Sequence, residues 1–331
     1  MVECKLPFEL VKRELLVRRD AETSVKYGCY YGKRPAEMLI ENGIVNVDKP
    51  AGPTSHQASA YAKQILGLKK AGHSGTLDPN VTGVLPVGLS GSTKIVHVLL
   101  TAGKEYVCLM HTHKLLPEEE IRAVCSRFSG KIKQIPPVRS SVKRQLRERE
   151  IYYLDIMEID GKDVLFRVGC QAGTYIRKLV DDMGRLVGGA HMAELRRTKA
   201  GPFGESTLAT LQDLSDAYHY WKNEGNERFL RRVVQPVENA VEHLPKIWVL
   251  DSAVDSLAHG SSLKVPGIAK LESGISPENL IAVLTLKGEL VCYGTARMTS
   301  KDMLGEKGIA VRTERVFMKP GVYPRIEKQG P

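Results

Sequence analysis

The sequence lacks paired cysteines and long apolar runs. Its six cysteines are scattered without any C-x-x-C pair, so neither a zinc site nor a disulfide framework is predicted. No stretch approaches the roughly 18 to 20 apolar residues of a membrane span, and the N-terminal residues lack the apolar core of a secretory signal. These absences predict reduced thiols, a cytoplasmic location, no metal site and no membrane partner.

Composition favours a folded chain with a polyanionic partner. At 331 residues, with 42% hydrophobic and 26% charged residues, the length predicts one large and one small domain. The net charge of +10 and the pI near 9.2 favour binding to phosphates. One segment, residues 131–149, is densely basic against the single acid Glu148: it contains Lys131, Lys133, Arg139, Lys143, Arg144, Arg147 and Arg149. A solvated basic loop is the alternative interpretation.

The chain divides into three parts. Residues 1–42 are charged and mixed in pattern, which predicts an extension that wraps onto another surface, that of the C-terminal domain, instead of forming a core. A strand is predicted at GIVNVDKP (43–50), followed by a helix at 54–65 with Thr54 or Ser55 as N-cap. Residues 43–245 are then expected to form the large domain and residues 246–331 a small β-rich one.

The large domain mixes helix and strand signals. VLPVGLS and KEYVCLMHT predict strands, and PEEEIRAVCSRF predicts a helix with acids in its first turn. Two β-rich runs around Asp160-Gly161 predict a hairpin over 151–170, and GTYIRKLVDDMGRLV predicts an amphipathic helix over 173–187. ERFLRRVVQPVENAV (227–241) also has a helix-like pattern. The fold class is therefore α+β.

The segment LKKAGHSGTLDPNVTG (68–83) predicts a loop of defined shape, because its three glycines and one proline disfavour regular structure. Within it, Pro79 biases Asp78 toward an extended conformation. Such a loop is able to present a carboxylate to a ligand, although most Asp residues in glycine-rich loops only cap turns.

GHSGTLDPNVTGVLPV resembles the catalytic motif of the TruB family of uridine-to-pseudouridine synthases. Four further segments resemble that family's other motifs in the same order: VDKPAG (47–52), KEYV (104–107), GTYIRKL (173–179) and AHMAELRR (190–197). The likeness is closer to the archaeal and eukaryotic dyskerin-type members, and the C-terminal segment resembles a PUA domain. The resemblance implies a pseudouridine synthase fold with a mixed, largely antiparallel sheet, followed by a β-rich PUA pseudo-barrel.

Three catalytic residues follow from the resemblance. Asp78 is expected to act as nucleophile or base, and Arg177 to keep that carboxylate ionised and oriented. Tyr106 is expected to stack on the flipped uracil and to offer a hydroxyl near the proton that is lost last. Without the motifs, Arg177 reads as a surface helix residue and Tyr106 as core packing on one strand face with Cys108 and Met110.

Supporting roles are implied for four more residues. Lys49 and Pro50 are expected to buttress the catalytic loop, His73 to contact substrate RNA, and Leu195 to form an apolar wall of the pocket. No cofactor is expected, since the reaction requires neither metal nor redox chemistry. The C-terminal domain would grip the guide RNA, with candidates His259, Lys264, Lys270 and Arg312; the alternative is a β domain that only packs on the large one.

The resemblance to the dyskerin-type group implies that the chain works in a ribonucleoprotein particle. The partners would be an H/ACA guide RNA, a substrate rRNA or tRNA, and three small proteins: a zinc-ribbon-like protein, a small β-barrel protein and a kink-turn-binding relative of ribosomal proteins. Two rivals remain. One is a guide-independent synthase that acts on a tRNA loop, and the other is a catalytically idle RNA-binding scaffold, against which Asp78, Tyr106 and Arg177 together weigh.

Overall fold

The computed structural model describes residues 4–136 and 143–325. The helices are α1 (Pro7–Leu10), α2 (Ala36–Asn42), α3 (Ser55–Ile65), α4 (Val96–Thr101), α5 (Glu118–Ser126), α6 (Ile176–Leu186), α7 (Leu211–Glu224), α8 (Leu230–Val233) and α9 (Asp251–Ala258). The strands are β1 (Leu15–Val17), β2 (Gly43–Lys49), β3 (Ala71–His73), β4 (Thr82–Leu89), β5 (Lys104–Thr112), β6 (Gly130–Gln134), β7 (Arg147–Asp160), β8 (Asp163–Cys170), β9 (Ala190–Ala200), β10 (Phe203–Gly204), β11 (Val234–Pro236), β12 (Lys246–Val249), β13 (Leu263–Lys264), β14 (Ile268–Glu272), β15 (Leu280–Thr285), β16 (Leu290–Ala296) and β17 (Ile309–Val316).

Ten strands form a large sheet in the order β11-β2-β4-β9-β5-β8-β7-β6, with β3 paired to β4 and β10 to β9. Its strand pairs are antiparallel except β4 and β9, which run parallel over two residue pairs, Thr82 with Arg196 and Gly83 with Arg197. The predicted mixed, largely antiparallel sheet is confirmed. Because so few backbone pairs join β4 to β9, the two halves of the sheet leave room for a cleft at that point.

Gly83 is required at this junction. Its φ is +98°, and a Cβ there would lie 2.2 Å from the backbone oxygen of Arg197. Such a contact forces the backbone apart, so a side chain at position 83 is incompatible with the close approach of β4 to β9. The glycine therefore fixes the base of the cleft.

Helix α6 packs on the β5 side of the cleft. Its buried residues Ile176, Leu179, Val180 and Met183 follow the i, i+3, i+4, i+7 spacing of one helix face, and they share a core cluster with Cys108 and other residues of the neighbouring strands. Residue 177 follows the first of these buried positions and points outward. None of the helices in the described ranges is long and apolar enough to cross a membrane.

Seven strands form a small sheet in the order β1-β14-β12-β15-β16-β17-β13. Its pairs are antiparallel except β12 with β15, which is parallel. The core beneath it includes Ile247, Val283, Val291 and Val311. Strand β1 comes from the N-terminal forty residues and pairs with β14 through Leu16 and Leu271, so the beginning of the chain completes the C-terminal sheet.

Two sequence predictions differ from the structure. The helix-like stretch 227–241 contains the four-residue α8, then strand β11, then a 3-10 turn; β11 pairs with β2, for example Val234 with Val45, so edge pairing overrides the local helical pattern. The N-terminal extension also enters a core, because Ala36, Leu39 and Ile40 of α2 are buried against the large sheet.

A buried ion pair joins three distant segments. The Arg34 guanidinium donates two hydrogen bonds to the Glu238 carboxylate, at 2.7 Å each, and both side chains are less than a tenth exposed. The same carboxylate accepts a bond from the backbone amide of Leu290 in β16, also at 2.7 Å. The N-terminal extension, the end of the large domain and the C-terminal sheet therefore meet at one carboxylate.

Replacement of Arg34 by Gln should destabilise the protein by about 3 to 5 kcal/mol, because it leaves Glu238 buried without its counter-charge. The measurement is the thermal unfolding midpoint near neutral pH. Arg122→Gln is the matched control, since Arg122 pairs with Glu118 on an exposed helix face and should change stability by about 0.5 kcal/mol or less. Equal effects of the two substitutions would contradict the role assigned to the buried pair.

His243 lies where the large domain meets the N-terminal extension. Its ring makes an edge contact with Phe8 at 5.9 Å, and its carbonyl accepts a bond from Arg13. Burial lowers the pKa of His243 to about 4; nearby Lys246, Lys104 and Arg13 act in the same direction, while a backbone bond with Val98 opposes them. The folded protein therefore holds the neutral imidazole at neutral pH.

Acid should weaken the fold through His243. Its folded pKa lies below the unfolded value of about 6.5, so the unfolded chain binds the extra proton first and stability falls as pH drops from about 6.5 toward 4. At pH 5 the loss should reach up to about 2 kcal/mol. His243→Gln removes this titration, and its unfolding midpoint should fall less between pH 7 and pH 5 than that of the wild type. If the unfolding midpoints of the variant and the wild type fall equally between pH 7 and pH 5, His243 is not the source of the acid destabilisation.

Candidate active site

The loop that carries Asp78 is held by backbone contacts from neighbouring elements. The Ser55 hydroxyl accepts a bond from the Leu77 amide at 2.7 Å and donates to the Leu77 carbonyl at 3.1 Å. The Pro79 carbonyl accepts a bond from the Gly52 amide at 3.0 Å. Of the two N-cap candidates for α3, Thr54 is the cap, and its hydroxyl accepts from the amide of residue 57. Ser55 is instead a loop-positioning residue that sequence patterns did not single out.

Lys49 is a buried residue that holds the backbone next to Asp78. Its side chain is fully buried, and its amine donates to the carbonyls of Pro50, Pro79 and Val81 at 2.7, 2.9 and 2.8 Å. Burial lowers the pKa of Lys49, Arg197 lowers it further, and Asp78 opposes both. The amine thus fixes the backbone immediately after Asp78. The supporting role predicted for Lys49 and Pro50 stays a prediction.

Asp78 and Arg177 form an ion pair between the loop and the start of α6. The two side chains are 54% and 56% exposed. An exposed pair contributes about 0 to 1 kcal/mol to stability. Its principal consequence here is geometric, because the guanidinium fixes where the carboxylate points.

The pair lies in a cleft of about 910 Å³ at the junction of β4 and β9. The cleft is lined by residues from the turn after β2, the loop that carries Asp78, β4, β5, β8, α6 and β9: Ala51, Asp78, Pro79, Asn80, Val81, Thr82, Val107, Leu109, Leu165, Arg177, Met192, Ala193, Glu194, Leu195 and Arg196. Leu195 is one of these lining residues, and its role as an apolar wall of a substrate pocket stays a prediction. The cleft combines apolar walls with one carboxylate held by a guanidinium, an arrangement suited to a flat, mostly apolar ring.

Tyr106 is not among the residues that line this cleft. Strand alternation puts it on the opposite face of β5 from Val107 and Leu109, and it packs with Cys108 and Met110 against the core under α6. The ring is nonetheless half-buried and close enough to the site for Asp78 to act on it electrostatically. The catalytic role of Tyr106 therefore remains a prediction.

His73 ends β3, where it pairs with Val87 of β4. Burial lowers the pKa of His73, and the charges of Arg197 and His56 lower it further. A neutral imidazole is the expected form at neutral pH, able to donate from one nitrogen and accept at the other. Its predicted contact with RNA stays a prediction.

Two arginines of β9 were missed as site residues, although both lie in the AHMAELRR motif. Arg196 donates two bonds to the Asp48 carboxylate, at 3.0 and 3.2 Å, and one to Glu205 at 2.6 Å, so it holds β9 to the end of β2. Arg197 is fully buried and donates to the Val84 carbonyl at 2.7 Å. The order of residues in the chain gives no sign of which of the two is buried.

The predicted RNA-binding residues fall in two regions. Lys143 and Arg144 are exposed just before β7, and Arg147 begins that strand; Arg139 lies outside the described residues. His259, Lys264 and Arg312 are exposed in the C-terminal domain, where β13 and β17 pair and Thr313 donates to the Ser261 carbonyl. Lys270 lies on β14, with its amine 5.3 Å from the Trp248 ring centre.

Within residues 4–136 and 143–325, no three His, Cys, Asp or Glu side chains are grouped so as to hold a metal ion.

Family models match most of the chain. The TruB family pseudouridylate synthase N-terminal domain matches residues 63–115, and the tRNA pseudouridylate synthase B C-terminal domain matches 177–242. The PUA domain matches 245–317 and the DKCLD domain 3–59. A model of the C-terminal part of Pus10 matches 90–189.

Full-length relatives are similarly close. The probable tRNA pseudouridine synthase B of Methanopyrus kandleri is 55% identical over 323 residues, which cover 97% of this chain and 95% of that protein. The probable tRNA pseudouridine synthase B of Pyrococcus abyssi is 57% identical over 320 residues, 96% of each chain.

Two solved structures contain chains that are similar to this one along almost their whole length. A crystal structure of a Cbf5-Nop10-Gar1 complex contains a chain 55% identical to this one, with a TM-score of 0.93 over 97% of this chain and 99% of that one. A structure of an H/ACA RNP bound to a substrate RNA containing 2'-deoxyuridine contains a chain 52% identical, with a TM-score of 0.92 over the same shares.

The divided sheet with an Asp–Arg pair in its cleft, followed by a PUA domain, defines a protein of the pseudouridine synthase class. The chain belongs to the TruB family of pseudouridylate synthases, and its structural neighbours include the archaeal Cbf5 chains of H/ACA complexes. The predicted fold, a pseudouridine synthase domain with a PUA domain, is confirmed.

Lys49→Met should loosen the catalytic loop, because it removes the amine that bonds to the carbonyls of Pro50, Pro79 and Val81. The Pro79 carbonyl keeps its bond from the Gly52 amide, and a buried carbonyl left without a donor costs about 1 to 3 kcal/mol. We expect faster amide hydrogen exchange at residues 77–83 and a lower unfolding midpoint. The matched control is Lys69→Met, which removes an exposed amine beyond α3. Unchanged exchange in the loop of the Lys49 variant would contradict the buttress.

Proposed function

We propose that the chain is the catalytic subunit of an H/ACA ribonucleoprotein and isomerises guide-selected uridines of rRNA or tRNA to pseudouridine. The observation that carries this is the Asp78–Arg177 pair in the cleft, within a chain of the TruB family that resembles Cbf5 along almost its whole length. An orienting guanidinium on a solvent-accessible carboxylate is suited to a group that must reach an incoming nucleotide.

The reaction assigns distinct tasks to the site. The uridine leaves its stack and enters the cleft, a step that apolar walls such as Leu195 favour. Asp78 then either attacks the sugar carbon, forming a covalent intermediate, or removes a sugar proton. The released uracil rotates and reattaches through C5, after which the proton on C5 is lost, and Tyr106 is the proposed acceptor.

The RNA and protein partners are proposed from the neighbours. The similar chains are seen in complexes with Nop10, with Gar1 and with substrate RNA, so we propose a guide RNA, a zinc-ribbon-like protein, a small β-barrel protein and a kink-turn-binding protein as partners. The exposed His259, Lys264 and Arg312 are the proposed guide contacts, through phosphates and backbone. Arg139, Lys143, Arg144 and Arg147 are also proposed to contact RNA, and the particle is expected in the cytoplasm.

A second candidate is guide-independent modification of tRNA. It is favoured by the names of the relatives, which are probable tRNA pseudouridine synthases. The same pocket serves both functions, so they differ in how the RNA is delivered and not in the chemistry.

Asp78→Asn should abolish pseudouridine formation while RNA affinity stays within about threefold, because the amide keeps the shape of the carboxylate but is neither nucleophile nor base. Formation is measured on labelled RNA, with the assembled particle and a matched guide, and with the chain alone on tRNA. Asp216→Asn, on the exposed face of α7, is the control and should retain wild-type turnover.

The two substrates separate the candidate functions. Turnover that requires the guide supports the ribonucleoprotein, and turnover of tRNA by the chain alone supports the second candidate. Substantial turnover by Asp78→Asn in either assay would remove Asp78 from the chemistry.

A further inference from the structure

Arg197 lies directly across the strand pair from Tyr106. The two residues are Cα partners in the antiparallel pairing of β9 with β5, and opposed residues of such a pair project from the same face of the sheet. Arg196 is opposite Val107 and therefore belongs to the other face. Of the two consecutive arginines, Arg197 is the one on the tyrosine's side.

The Arg197 guanidinium is buried among oxygen atoms. The side chain is 1% exposed, and it donates to the Val84 carbonyl at 2.7 Å and to the Gly75 carbonyl at 3.3 Å. Its guanidinium also lies within hydrogen-bonding reach of the Tyr106 hydroxyl. In the described part of the chain no carboxylate pairs with it, so this is a buried cation whose charge is met by neutral acceptors.

The direction of the bond to Tyr106 follows from chemistry. A guanidinium has five N–H donors and no acceptor, so Arg197 donates and the phenol oxygen accepts. The hydroxyl proton of Tyr106 must then point away from Arg197. Because the donor is charged, the bond strengthens when the oxygen becomes negative.

We propose that Arg197 is a positioning residue for the isomerisation, which fixes the Tyr106 oxygen and stabilises its phenolate so that this oxygen takes the last proton from the uracil. The inference rests on the proposed function and deepens it. In the step concerned, the C5–H bond breaks and its electron pair forms the C5–C6 double bond, while the pair of the C6–N1 double bond moves onto N1, which takes a proton from solvent. The proton from C5 passes to the phenolate, which becomes phenol, and the phenol releases this proton to solvent before the next turnover.

The charges around Tyr106 support this assignment. Burial raises the pKa of Tyr106, and Cys170 from β8 and Asp78 from the catalytic loop act in the same direction; Arg197 lowers it. Asp78 and Arg197 thus have opposite effects on the same hydroxyl. Without the guanidinium the phenolate would be rarer still, and each pKa unit changes its fraction tenfold.

Arg197 also connects Tyr106 to the catalytic loop, because Gly75 lies three residues before Asp78. If Arg197 only supports that loop, its removal would lower the stability of the protein and the rate of pseudouridine formation without changing the pKa of Tyr106. The two roles are therefore separated by a measurement on the tyrosine itself.

The test places 3-fluorotyrosine at position 106 and follows its titration by fluorine NMR in the full chain. In Arg197→Gln the titration midpoint should rise by about one pH unit or more, and the single-turnover rate of the assembled particle at saturating RNA should fall about tenfold or more. The matched control is 3-fluorotyrosine at position 152, a half-buried residue whose pKa is raised by burial, Glu150 and Cys170, and on whose pKa no described arginine acts. Its midpoint should not move.

Arg197→Lys serves as the second variant. It keeps the charge but not the fork of donors, so the Tyr106 midpoint should rise less than with Gln and still exceed the wild-type value; it is the deciding comparison if the Gln variant does not fold. The proposal is overturned if the single-turnover rate falls while the titration midpoint of residue 106 stays at its wild-type value. This holds for both variants if both fold, and for the Lys variant alone if the Gln variant does not. Arg197 would then only support the loop. A wild-type particle that forms no pseudouridine would instead contradict the proposed function.

Discussion

Two buried cations hold the segment on which the candidate site depends. The residues between β3 and β4 lie outside the strands, so several of their carbonyl groups are bonded by groups from other segments, including the Ser55 hydroxyl and the Gly52 amide. Lys49 and Arg197 add donors on both sides of Asp78. A cation offers several donors from one point, which a neutral side chain of similar size does not. Burial of the two charges is unfavourable unless the loop carbonyls accept their hydrogen bonds, and the loop conformation is unfavourable without these donors. The two features therefore depend on each other.

The two buried cations and the Asp78–Arg177 pair have opposite environments. Lys49 and Arg197 are buried, whereas Asp78 and Arg177 are each more than half exposed. In water the attraction between the latter two is weak, and it orients more than it stabilises. A nucleobase that fills the cleft displaces this water and lowers the local dielectric constant. The attraction between Asp78 and Arg177 then becomes stronger. The rigid part of the site is thus present before the substrate, and the electrostatic part develops with it.

Local patterns predicted the elements that carry the site, and long-range pairing decided the rest. KEYVCLMHT is strand β5 over Lys104–Thr112, and α3 ends at residue 65 as its pattern indicates. In contrast, 227–241 is not a helix, because pairing of β11 with β2 outweighs its local pattern. The burial of Arg197 likewise follows from the register of β9 on β5, which no window of sequence contains. Motif resemblance located AHMAELRR as important without telling which arginine faces Tyr106.

The N-terminal residues change how the two domains should be separated by experiment. A truncation at the predicted boundary, residue 246, would remove β14 and leave β1 without its partner. It would also remove Leu290, whose amide bonds to the Glu238 carboxylate. Such a protein loses packing on the large domain as well as any RNA surface, so a fall in guide affinity would have two causes. Substitution of Lys264 and Arg312, which are exposed on the paired strands β13 and β17, removes charge while leaving these contacts in place. Charge substitution is therefore the cleaner way to assign the guide surface, because the phosphate contribution alone depends steeply on salt.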